Sequence, residues 1–266
     1  MDRIKLFCFA ASYAVAFGLE LLYQFWPRTW VRVGGLCFGF AGLLAQTLFL
    51  VDKHPAISQR YGLLLFLAWV LAIFYLVGTL HHARIAWGVF VLPLILGLIG
   101  LGRVFDPGDN TPRFQVEDVL SIRQIHGWLL VLAAVGVCVA FLASLMYLFQ
   151  AQRLRKKTLP TAGFRLLSLE RLEVMNRRAI TFAFPLLTIG VLIGAALMYQ
   201  NADTLSWYDP RVVSTLLLWA VLAVVLYLRF GLHLAGRQVA LWTVVTFGLF
   251  VVCLLLPHDI KPGGEP

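Results

Sequence analysis

His126 to Gln150 reads HGWLLVLAAVGVCVAFLASLMYLFQ, and the chain runs on from Ala151 as AQRLRKKTLPTAGFRLLSLERLEVMNRR to Arg178. The first piece holds no Asp, Glu, Lys or Arg, whereas the second holds eight of the 22 basic residues of the chain. A bilayer core about 30 Å thick takes about 20 apolar residues to cross as a helix. Only a helix or a closed barrel satisfies its own backbone where water is absent. The apolar piece therefore reads as a transmembrane helix. The basic piece reads as a cytoplasmic connection, where Lys and Arg collect.

Seven more runs meet or approach that length: Leu6 to Trp26, Trp30 to Val51, Tyr61 to Leu80, Ile85 to Leu101, Ala179 to Tyr199, Val212 to Leu228 and Val239 to Leu256. The fourth, seventh and eighth spans in chain order are the shortest. Of 266 residues, 61% are hydrophobic and 13% charged, too few polar side chains to cover a water-soluble fold of this size. The expected class is an all-α integral membrane protein, a bundle of about eight transmembrane helices. With no solenoid repeat or Gly/Ser linker, residues 1–266 are expected to form a single polytopic membrane domain. The first run lacks a small-residue cleavage site and is as long as the others, so it reads as a span rather than a signal peptide.

Fixing the basic loop in the cytoplasm puts both termini on the non-cytoplasmic side, with 13 basic residues inside and 9 outside. The net charge of +9 is concentrated in that loop, and no nucleic acid partner is expected. Leu166, Leu169, Leu172 and Met175 recur there at helical spacing and predict an amphipathic helix on the cytoplasmic face that anchors and orients span six. Membrane lipid, or a cytosolic protein docking on the 151–178 loop, would be its partner. The outer connection after span four has a turn-forming PGDNTP core.

Cys8, Cys37, Cys138 and Cys253 all fall inside predicted spans and form no CxxC pair, which leaves thiol-redox and zinc chemistry without support. HxxxH, HExxH and carboxylate clusters are also missing from the sequence. Glu20 is the clearest intramembrane acid and, with the span-interrupting Pro93 and Pro185, makes up the argument for a transporter, yet it lies near the predicted inner end of its span and is expected to reach headgroups. Of six histidines, His81, His82 and His233 fall at predicted inner interfaces and His54 in an outer turn. His126 opens span five and His258 follows span eight, both at the outer face. Between spans six and seven lies the polar island NADTLSWYDPRVV, with Trp207, Tyr208 and Asp209 before Pro210. Asp209 suits the N-cap of span seven and Pro210 its first helical position. The plainest reading of Trp207 and Tyr208 is an interfacial aromatic pair.

From Ile125 onward the chain resembles the CcsA/HemX-like cytochrome c assembly family, most evidently over 125–260. Four pieces carry the likeness: the helix that opens with His126 and ends in RLRKK; SLERLEVMNRRAITFAFPLLTIGVLIGAALM, the most specific match; SWYDPRVVSTLLLWAVLAVVLYLRF, which is similar to the end of a tryptophan-rich motif; and LLLPHDI, where a second external histidine is common. The resemblance implies a membrane protein assisting cytochrome c maturation, with heme as its cofactor or cargo. Trp207, Tyr208 and Asp209 would form the external platform and His126 and His258 would be axial ligands to the heme iron. It implies cytochrome c assembly proteins as partners and the bacterial inner membrane as the location. No catalytic residue is assigned, because thioether attachment is not expected of this chain alone. The alternative is a non-catalytic regulator that docks an enzyme of heme synthesis through the basic loop. NADTLS stands where the fuller motif begins with Trp-Gly, and YLRF stands where a Tyr-Leu-His is common. With its short length, this places the likeness nearer the small HemX-like branch.

Overall fold

A computed structural model of the protein describes residues 6–53, 55, 60–81, 85–105, 122–156, 166–200, 209–232 and 236–256. Among them are eight α-helices and no strand: α1 (Leu6–Phe25), α2 (Thr29–Lys53), α3 (Arg60–His81), α4 (Gly88–Val104), α5 (Ile122–Arg155), α6 (Leu169–Gln200), α7 (Pro210–Phe230) and α8 (Gly236–Leu255). Seven are long and apolar enough to cross a membrane, and α4, at 17 residues, is shorter. The chain is therefore a multi-pass membrane protein. Phe25, Trp26, Trp30 and Tyr199, all at helix ends, are exposed, the placement of interfacial aromatic belts.

The amphipathic stretch before span six is not a separate surface helix. It is the first turns of α6, which runs unbroken for 32 residues, and α5 likewise extends to 34. At 1.5 Å per residue these helices are about 48 and 51 Å long, well beyond the bilayer core. Arg177 and Arg178 suggest a boundary by charge, but both are exposed, while Leu172, Asn176, Ala179, Ile180, Ala183 and Leu187 keep one buried face through the supposed break. Helical periodicity outruns the apolar run.

The chain divides into two compact units, Met1–Asp118 with Phe149–Leu169, and Val119–Leu148 with Glu170–Pro266. In the first, α1 packs on α2 and α4, and α3 packs on the same two helices. Lipid supplies no hydrophobic drive for helices to associate, so small residues and shared hydrogen bonds must do it. Helix α2 carries Gly35, Gly39 and Gly42 buried in a row. A Cβ on Gly42 would lie 2.8 Å from the Tyr13 ring, and one on Gly39 would lie 2.7 Å from the Tyr75 ring. The seated Tyr13 hydroxyl donates to Gln46 Oε1 (2.8 Å), and Gln46 Nε2 donates to the Leu65 carbonyl (3.0 Å), tying α1, α2 and α3.

Glu20 does not reach outward from its helix. It is 6% exposed, accepts the Tyr75 hydroxyl at 3.1 Å, and packs where Gly88 of α4 leaves room, 2.8 Å from the position a Cβ would take. Cys138 is buried, whereas Cys8 and Cys37 face outward and Cys253 is half-buried; all four are free thiols.

In the second unit, α5 and α6 run antiparallel along a seam of small residues. Moving up α5, His126 meets Gly194, Leu130 meets Gly190, and Gly136 meets Ala183. Asn176 closes the far end of the seam. Its amide donates to the Ala140 carbonyl (3.1 Å) and Ser144 Oγ (2.8 Å) on α5, and to Thr243 Oγ1 (3.2 Å) on α8.

Three substitutions test this packing. Gly42→Ala drives a methyl group into a hydrogen-bonded, fully buried tyrosine and is expected to lower stability in detergent by about 1–3 kcal/mol. Gly18→Ala on α1, where a Cβ meets nothing within 4 Å, is expected to be neutral or to stabilise by up to about 1 kcal/mol. Asn176→Ala is expected to cost about 0.6–1.7 kcal/mol, since Ser144 and Thr243 keep their bonds to their own helices. Thermal unfolding of purified protein, followed by tryptophan fluorescence, measures all three.

Candidate functional site

Of the sequence candidates, the two that are described, His126 and Asp209, lie at one end of the second unit. Antiparallel packing puts the start of α5 beside the last turns of α6, through the contact of His126 with Gly194. Thr188 of α6 bonds Trp219 of α7 at 3.0 Å, and Glu173 of α6 pairs with Arg229 of α7, so α7 runs antiparallel to α6 and begins at the same end. Gly236, the first residue of α8, lies against Glu173 and Tyr147 at the opposite end, and Thr243, two turns further on, meets Asn176. Helix α8 therefore finishes at the end where α5 and α7 begin.

His126 sits in the second turn of α5, half-buried. Its Nδ1 lies 2.7 Å from the carbonyl oxygen of Gly190. A carbonyl only accepts, so Nδ1 carries the hydrogen and donates it, and in the neutral ring the lone pair is on Nε2. An imidazole oriented through one nitrogen by a backbone carbonyl, with the other bearing the lone pair, is the arrangement of a metal-ligating histidine. The ring reaches that carbonyl because α6 has no side chains at 190 and 194. A Cβ on Gly194 would stand 2.9 Å from His126 Cε1. Neither glycine stands out in the sequence by itself; their four-residue spacing opposite a histidine was the available signal.

Asp209 immediately precedes α7, and its backbone carbonyl accepts the Val213 N–H at 3.1 Å. Asp209 is thus the N-cap residue and Pro210 the first helical residue, where a missing N–H costs nothing. Trp207, Tyr208 and His258 lie outside the described residues, as do His54, His82 and His233. His81 is exposed at the end of α3, with Nδ1 3.1 Å from its own helix's Val77 carbonyl, which suits an interfacial side chain.

Two further groups shape the unit. Trp219 donates to Thr188 Oγ1, and its ring stacks on Phe184 at 5.9 Å and 24°. At the opposite end, Arg229, the arginine of YLRF, pairs with Glu173 of α6, their side chains 16% and 32% exposed. A Cβ on Gly236 would lie 2.8 Å from the Tyr147 hydroxyl and 3.0 Å from Glu173 Oε2. Among the described residues no cluster of three His, Cys, Asp or Glu could hold a metal ion.

Residues 57–258 match the family described as cytochrome C assembly protein. The likeness thus begins well before Ile125, inside the first unit. Among curated proteins, the chain is 25% identical over 210 residues to Protein HemX of Bacillus subtilis, covering 79% of this chain and 75% of that one. It is 26% identical over 293 residues to the cytochrome c biogenesis protein CcsA of Thermosynechococcus vestitus, covering 92% and 91%. A CcsA of Prochlorococcus marinus is 27% identical over 235 residues, covering 76% and 72%. No solved structure matches the chain. With three-quarters of its length matched, an all-helical membrane architecture and relatives of both kinds, the chain belongs to the CcsA/HemX-like cytochrome c assembly family.

Proposed function

We propose that this protein handles heme during cytochrome c maturation, receiving or presenting it at the non-cytoplasmic face of the bacterial inner membrane. Family membership supports the role in maturation. The observation that carries the heme assignment is the bond from His126 Nδ1 to the Gly190 carbonyl, because it prepares Nε2 as an electron-pair donor to a metal. The residues fit a heme in kind. A neutral imidazole suits an axial position, and Trp207 and Tyr208 would lie against a porphyrin, whose flat apolar face stacks well on aromatic rings.

His258 is the proposed second ligand. It follows Leu255, the end of α8, by three residues, and chain length alone keeps it within about 10 Å of that helix end. Trp207 precedes Pro210 by the same number. Asp209, capping α7, fixes where the Trp207–Tyr208 pair joins the helix. The protein's part is to bind, orient and shield; the reactive carbon and sulfur atoms of the attachment reaction would belong to the heme and to the thiols of the apocytochrome, brought by a partner assembly protein. No residue of this chain is assigned a catalytic step.

Two measurements test this reading. Protein purified in mild detergent from heme-replete cells, or titrated with heme, is expected to show a Soret band, with affinity reduced at least tenfold in His126→Ala and in His258→Ala. A preparation that stays colourless at saturating heme contradicts the assignment. A single cysteine placed at Lys157 is expected to react with an impermeant maleimide only in inverted vesicles, and one at Asn110 only in intact spheroplasts. The reverse pattern would put His126 on the cytoplasmic face.

A further inference from the structure

The seam between α5 and α6 has a consequence for one atom of the proposed site. Neutral histidine in water favours the hydrogen on Nε2. His126 is held the other way, by a 2.7 Å bond from Nδ1 to the Gly190 carbonyl. That oxygen already accepts within α6, in the ordinary i to i+4 pattern from Gly194, and the histidine uses its second lone pair. The approach depends on two absent side chains. A Cβ on Gly194 would lie 2.9 Å from Cε1, 3.5 Å from Nδ1 and 3.7 Å from Nε2 of His126. A Cβ on Gly190 would lie 2.9 Å from Leu130 Cδ2, one turn further along α5. The two glycines seat the ring and the next leucine together, so the imidazole plane is fixed by backbone rather than by a mobile side chain.

We propose that Gly190 and Gly194 are positioning residues for His126: the Gly190 carbonyl holds the ring as its Nδ1–H tautomer, and ligand iron is met through Nε2. The importance of this for heme rests on His126 being a heme ligand, as proposed above; the tautomer itself is a property of the chain alone. A carbonyl on Nδ1–H increases the basicity of Nε2, and loss of such an orienting partner typically weakens metal binding by about 10–100-fold.

The test begins without heme. Full-length protein labelled with 15N and 13C in histidine, in lipid nanodiscs at a pH where histidine is neutral, reports each ring nitrogen as bearing or lacking hydrogen. The His126 signals are identified by their loss in His126→Gln. The expected result is hydrogen on Nδ1 and a bare Nε2. In Gly194→Ala the displaced ring is expected to revert to hydrogen on Nε2, whereas Gly248→Ala on α8, where a Cβ meets nothing within 4 Å, keeps the wild-type pattern. Hydrogen on Nε2 in the wild type overturns the proposal, and does so even if Gly194→Ala fails to fold. An unchanged tautomer in folded Gly194→Ala overturns the role of the glycine pair.

Heme titration then separates the two ideas. Gly194→Ala is expected to bind heme about 10–100-fold more weakly with a shifted Soret band, and Gly248→Ala to bind it normally. If His126→Ala binds like the wild type while the Nδ1–H tautomer stands, the ligand reading fails and the positioning survives. If His126→Ala loses heme while Gly194→Ala keeps wild-type affinity and spectrum, the ligand reading stands and the positioning fails.

Discussion

The second unit depends on how closely the backbones of α5 and α6 approach. Leucine gains nothing by leaving lipid for a helix interface, so packing contacts and polar links must hold such helices together. Gly136 against Ala183, Gly190 against Leu130 and Gly194 against His126 bring the two helices into contact at three levels, and the same closeness lets a histidine on one helix bond a main-chain carbonyl of the other. Stability and site geometry therefore share one cause. A larger residue at 194 would move the imidazole as directly as it would move the helix.

The polar links follow a repeated chemical pattern. A serine or threonine hydroxyl has one hydrogen and two lone pairs. Thr47, Ser144, Thr188 and Thr243 each donate that hydrogen to the carbonyl four residues earlier in their own helix. Each then accepts an N–H from a neighbouring helix, from Trp69, Asn176, Trp219 and Asn176 respectively. The hydroxyl hydrogen is spent within the helix, so an unpaired helix could sit in lipid without an orphan donor. Its oxygen stays available to recognise the correct neighbour. These links thus add specificity at a modest energy, on the scale measured for membrane interiors.

What the sequence makes legible is set by which physical signals are local. Eight helices follow from apolar length, and the N-cap at Asp209 with Pro210 after it follows from local chain chemistry; the structure has both. Helix α6 begins before its apolar run because Arg177 and Arg178 end that run without ending the helix, which a buried stripe three and four residues apart carries past them. Glu20 departs from expectation for a different reason. Its burial is decided by Tyr75 and Gly88, 55 and 68 positions away, and nothing in its neighbourhood in the chain announces them. His126 was legible as a candidate from its place at the head of a span. Its orientation was not, because that depends on two glycines of another helix.

The two ends of the second unit differ in what they offer a metal. At the His126 end, a neutral imidazole is held by a carbonyl, and a carbonyl adds no charge that would compete with iron. At the other end stands Arg229. A guanidinium has five donors and no lone pair to give, and this one is engaged by Glu173. That ion pair joins α6 to α7 below the Trp219–Thr188 contact. Of these two positions only His126 carries a ring nitrogen. The proposed heme site is therefore placed at the glycine-seated histidine rather than at Arg229.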